Sequence, residues 1–184
     1  MRFSDFLRTA VLLSAGAASA LAAVTVLAAA GNGDDLVVAF GAGWWLIAGL
    51  IGLWQGRRAE TSPPIAGLLA SARTQPSLPE VNPARTLLNR LWPLLLSTIG
   101  AGAVAFVVPQ VAAVATGFAI IWSLAWRRQA AAVTAIEERD GARFYVKPTS
   151  PLKPIQLVRT PGFRSNRFEL NGAPGQARRA RPRA

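Results

Sequence analysis

Apolar residues fill two long stretches of this chain, 9–56 and 91–126, and none of its twenty lysines and arginines falls within either. A helix rises 1.5 Å per residue, so crossing a bilayer core takes about 20 apolar residues. Each stretch therefore has the length of two spans. The expected spans run over about 9–30 (Thr9 to Ala30), 36–54 (Leu36 to Trp54), 88–107 and 110–126. The last two share one run of 40 residues, Leu87 to Trp126, broken near Pro109-Gln110. Proline lacks an N–H and suits the start of the fourth helix better than its interior. Gly31-Asn32-Gly33-Asp34-Asp35 forms the other turn. There Asn32 or Asp34 can cap the second span, and the carboxylates favour the positive end of its dipole. Two carboxylates are too few for a dedicated calcium site.

Charge orients these elements. The N-terminus carries +1, the 32–35 turn −2, the 55–90 loop +3 and residues 127–184 +9, of a net +11. Basic residues mark cytoplasmic loops. Both termini and the middle loop are thus expected on the cytoplasmic side of the cell inner (plasma) membrane. Trp54, Trp92 and Trp126 end three spans on that side, where indoles anchor among headgroups. The expected fold class is an all-α membrane protein with four transmembrane helices as two hairpins, a small cytoplasmic C-terminal β-hairpin and a disordered basic tail. Residues 1–56 make the first hairpin, 57–86 a proline-rich loop, 87–128 the second hairpin, 129–170 a cytoplasmic segment and 171–184 the tail.

Two features complicate this outline. Met1 to Arg8, Ala10 to Ala17 and Ala18-Ser19-Ala20 also fit the three parts of a signal peptide. The apolar run continues to Ala30 without a polar break, which favours a retained span. Second, the hairpins resemble each other. Arg8 and Arg90 each precede a leucine run ending in serine (Ser14, Ser97) and then glycine (Gly16, Gly100), and Trp54 and Trp126 each precede an arginine pair. That is the pattern of a parallel repeat, such as some transporters carry.

Composition limits the chemistry. The chain has no Cys and no His. Disulfides, thiol catalysis, His-ligated haem and ordinary zinc sites are excluded, together with the commonest general base. Apart from Arg90 at the start of the third, no ionisable residue lies inside a span, although such residues are the usual marks of ion paths and proton relays. The remaining hydroxyls, Ser14, Ser19, Thr25, Ser97, Thr98, Thr116 and Ser123, can each bond back to their own helix. Small residues recur every four positions at Ala10-Ser14-Ala18-Ala22, Ala39-Gly43, Ala48-Gly52, Ser97-Ala101-Ala105 and Ala113-Gly117, a pattern that lets helices approach closely. Trp44 and Trp45 stand midway along the second span. They are expected to contact lipid or a partner or to fill the core, with an aromatic pocket as the other reading.

In the middle loop, Ile65, Leu68, Leu69 and Ala72 have helical spacing and predict a short amphipathic helix at 65–73 on the membrane surface, with Arg73 toward headgroups. Asp140-Gly141, flanked by Val133–Glu138 and Ala142–Val146, predicts a β-hairpin. A helix ending with Gly141 as its cap competes with it. Two strands are marginal alone, so the hairpin should dock on the membrane, a partner or the 155–158 segment as a third strand. Pro151 and Pro154 have PxxP spacing within a linker. The tail bears Arg178, Arg179, Arg181 and Arg183, each expected to gain about 1 kcal/mol against anionic headgroups. No aromatic interleaving points to specific nucleic-acid recognition.

Function is expected to be non-catalytic: a scaffold, anchor or accessory subunit of a membrane complex, with a protein partner or homo-oligomer in the membrane and no cofactor. A small oligomeric transporter or channel subunit is the alternative. An enzyme would have to draw on Glu137, Glu138, Asp140 and Tyr145, which lack a nucleophile–base pair. Alanine and arginine usage suggests a high-GC bacterial gene.

Overall fold

The structure, a computed structural model, describes residues 1–57, 60–74, 83–147 and 154–161. It is mostly helical, in the order α1 (Phe3–Asn32), α2 (Asp35–Gln55), α3 (Pro63–Ala70), β1 (Arg73–Thr74), α4 (Pro83–Val104), α5 (Pro109–Trp126), α6 (Gln129–Asp140), β2 (Ala142–Val146) and β3 (Leu157–Pro161). Four helices are long and apolar enough to cross a membrane, the fourth being α5 with its continuation into α6.

The turn chemistry follows the sequence. Gly33 ends α1 in the left-handed conformation, at φ 65°. The Asp34 carboxylate then caps α2 by accepting the Val37 N–H at 3.4 Å, and Pro109 opens α5. Pro93 lies inside α4, where it removes one backbone donor.

Packing departs from a pair of independent hairpins. Helix α5 lies against both α1 and α2, and these two pairings far exceed α1 on α2 or α4 on α5. α2 and α4 make no comparable contact, so the packing lacks the symmetry that a repeat would produce. Beyond its first turns, the buried face of α1 is mostly small: Ser14, Ala18, Thr25, Ala28 and Ala29, with Leu21 the one large residue. On α2 it is Val37, Gly41, Ala48 and Gly52, whereas the expected Ala39-Gly43 stripe faces outward. Helix α4 is the outlier, with no residue of its apolar window buried.

A small module caps the end of the bundle where α1 starts and α5 finishes. Its sheet has the order β1-β3-β2. β3 runs parallel to β1 and antiparallel to β2, with Phe144 opposite Arg159 and Val146 opposite Leu157. The N-terminus adds a bridge between Arg2 and Tyr145, and the Val146 N–H donates to Met1 O at 3.1 Å. The core sets Phe3, Phe6 and Leu7 of α1 against Ile65 of α3, Val133 of α6 and Phe144, Val146 and Leu157 of the sheet. The first two turns of α1 thus belong to this module.

Three expectations change here. The β-hairpin about Asp140-Gly141 does not form, because residues 129–140 are helical. Ala130 to Ala132, Glu137 and Glu138 are good helix formers, and Ala132-Val133 and Ile136-Glu137 recur at helical spacing toward the core. Gly141, at φ 58°, is the helix cap, a conformation glycine adopts freely. Strand β2 instead pairs with residues 157–161, so the all-α class gains a three-stranded sheet. Helix α3 does form, but its Ile65 is 1 % exposed within the module core, and Arg73 belongs to β1. The Pro151-Pro154 spacing and the arginine tail lie outside the described residues, apart from Pro154 itself.

Candidate functional site

Trp44 and Trp45 both turn toward α5. The Trp45 indole N–H donates to Ala113 O at 2.8 Å and that of Trp44 to Val114 O at 3.2 Å. Trp44 also meets Phe118 edge-on, with ring centroids 5.7 Å apart. Its indole fills the space where any side chain at Gly117 would begin. The pair fastens α2 to α5.

All seven span hydroxyls are bonded within their own helices. Ser14, Ser19, Thr25, Thr98 and Thr116 donate four residues back, and Ser97 and Ser123 three residues back, at 2.7–3.1 Å. Such back-bonding satisfies a hydroxyl in an apolar setting without a partner or ligand.

The acidic residues after α5 have structural placements. The Glu137 carboxylate accepts the Phe144 N–H at 2.9 Å, which ties the end of α6 to the start of β2. Burial pushes its pKa above the ordinary carboxylate value; the Phe144 hydrogen bond and the Arg2 and Arg143 charges pull the other way. Asp140 pairs with Arg139 at 2.9 Å, and this hydrogen bond lowers its pKa. Tyr145 sits in β2 opposite Val158. Among the described residues no group of His, Cys, Asp or Glu is arranged to hold a metal.

Gln129 went unnoticed in the sequence. It is 8 % exposed. Its Oε1 accepts the Ser62 N–H at 3.0 Å and its Nε2 donates to Glu60 O at 3.3 Å, while the neighbouring Arg128 Nη1 donates to Arg57 O at 2.9 Å. Together they fix the loop after α2 to the start of α6. A single amide beside two arginines offers no sequence signal for this.

Two openings among the described residues lie along α1. An apolar crevice of about 540 Å³ lies between α1, α4 and α5, with Leu21, Leu94, Phe118 and Trp122 among its walls. A second groove of about 540 Å³ runs between α1 and α6. Its walls carry Arg8 and Arg127 toward the bundle, with Val11 and Leu12 beside them, and Asp5 and Glu138 away from it. Among the described residues none of these four charged side chains is in an ion pair; the one recorded pair is Arg139–Asp140.

No family model, no curated protein sequence and no solved structure matches this chain.

Proposed function

We propose that this is a multi-pass inner-membrane protein with both termini in the cytoplasm, and that it works without catalysis as a scaffold or accessory subunit. One observation carries the reading: the seven span hydroxyls and both mid-span indoles bond inside the bundle. These groups have already spent their donors, so they offer none to a solute that accepts hydrogen bonds, and intramembrane sites normally add an ionisable residue. The spans offer packing surface in their stead, above all on α4, where no residue of the apolar window is fully buried among the described residues. The charge pattern supports the orientation, since lysine and arginine are confined to segments on one side.

The transport alternative relied on the tryptophan pair and on a duplicated hairpin. The indoles are committed to α5, and the helix packing is asymmetric. Enzymatic use of Glu137 or Asp140 competes with their bonds to Phe144 and Arg139.

Cross-linking in native membranes, then mild detergent extraction and identification of bound chains, tests the proposal. A stoichiometric protein partner is the expected result. A chain that purifies alone as a discrete homo-oligomer and conducts a solute in vesicles would overturn it. Orientation is checked separately, because the chain has no native cysteine. A Cys introduced at position 34 should be labelled only from outside the cytoplasm.

A further inference from the structure

We propose that the groove between α1 and α6 binds the headgroup of an ethanolamine phospholipid, an inference that rests on the membrane reading above. Arg8 is the last charged residue before the uncharged length of α1, and Arg127 is the first after that of α5. They are far apart in sequence, yet both line this one groove. In a membrane-inserted chain both guanidinium groups stand at the level of lipid phosphates. A guanidinium presents a planar fork of donors that matches phosphate oxygens. The wall on the membrane side is apolar, and its Leu12 is 63 % exposed, as a contact for the glycerol and upper acyl region requires.

The carboxylates select the headgroup. Asp5 precedes Arg8 by three residues, a rise of about 4.5 Å away from the membrane. At this spacing an aspartate and an arginine on a helix can pair, but here they do not. Glu138 extends the acidic end of the groove. The ligand charge that fits is negative at the membrane and positive farther out, which is a phosphate bearing an ethanolamine. Its primary ammonium brings three donors to Asp5 and to the Thr134 hydroxyl, which also lines the groove. A choline headgroup has no N–H to donate. An anionic glycerol headgroup would bring no positive charge to the two carboxylates. The arginine tail, with no acidic residue beyond Glu169, keeps its expected preference for anionic lipid; the groove does not share it.

The test uses full-length protein in nanodiscs of phosphatidylcholine doped equally with phosphatidylethanolamine and phosphatidylglycerol. Lipids that stay bound after extraction are quantified by mass spectrometry. Phosphatidylethanolamine should be enriched about tenfold over both competitors, the size of effect one charge-assisted contact gives. Arg8→Ala and Arg127→Ala should each reduce the enrichment about tenfold, and the Lys variants should restore part of it. Asp5→Asn, nearly isosteric, should keep phospholipid bound while lowering the ethanolamine-to-glycerol ratio about tenfold. Amide exchange at Val146 monitors folding of every variant. Retention of the two lipids in bulk proportion, preference for phosphatidylglycerol, or an unchanged ratio in Asp5→Asn would overturn the proposal while leaving the membrane reading intact. Release of the chain from membranes by alkaline extraction would overturn both.

Discussion

Phe3→Ala should unfold the module at the end of the bundle while leaving the long helices intact. Phe3 is 2 % exposed and stacks on Phe6 at 6.4 Å and 12°. Truncating a buried Phe costs about 3–5 kcal/mol, the loss of transfer energy plus the cavity left behind. That equals a shift of roughly 10²-fold to 4 × 10³-fold in the opening equilibrium. Because whole domains are stable by only about 5–15 kcal/mol, the loss takes most of what a small module has. Hydrogen exchange of full-length protein in detergent reads the change locally. The Val146 amide, bonded to Met1 O, and the Lys147 amide, bonded to Gln156 O, should exchange faster by that factor. Amides within α5 should keep their wild-type protection, since Phe3 does not belong to the cluster of Leu21, Ala112 and, from the turn after α4, Ala105. Leu12→Ala, on the same helix but 63 % exposed, is the control and should change little. Wild-type exchange at Val146 in Phe3→Ala, or protection lost equally throughout α5, would refute the assignment of the first turns of α1 to the module.

Three further outcomes follow from other contacts. Cleavage after Ala20 would remove Phe3, Phe6 and Leu7 from the core, so intact-mass analysis of membrane-purified protein should find residues 1–20 present; a mass lacking them would restore the signal-peptide reading. Glu137 binds its proton more tightly when folded than the ordinary value of 4.5. The folded state therefore holds more protons than the unfolded state above that value, and module stability should fall as pH rises from about 4.5 through the raised folded pKa. Glu137→Gln should flatten this slope in melting curves, and an unchanged slope would discard the burial argument. Gly117→Ala should push Trp44 off α5 and cost about 1–3 kcal/mol, read as easier denaturant unfolding and a red-shifted indole emission, whereas Gly43→Ala, with open space around its Cβ position, should behave as wild type.

The spans were legible because their limits are chemical. Charged or turn-forming residues bound each apolar run, and the observed ends of α2 and α5 fall within a residue of those expected. The module was hidden because its parts are short and scattered. Phe3, Phe6 and Leu7 do recur at helical spacing, with Asp5 and Arg8 off that face, but charge ended the expected helix at Thr9. Asp140-Gly141 misled for a different reason: the same glycine suits a hairpin turn and a helix cap, and only the core contacts of Val133 decide between them. For the groove, Arg8 and Arg127 were each visible as boundary charges, but their convergence needed the antiparallel course of α1 and α6.

The link between Met1 and Val146 also sets an order of events during synthesis. The first turns of α1 leave the ribosome long before the surfaces that cover them, since Val133 follows Phe3 by 130 residues. At cellular elongation rates this is a wait on the order of ten seconds. Throughout it Phe3, Phe6 and Leu7 are uncovered, and the sheet cannot close until β3 is made. The module therefore completes only on chains whose four long helices have already been synthesised, and a chain truncated before β3 would present an exposed aromatic end to chaperones and proteases.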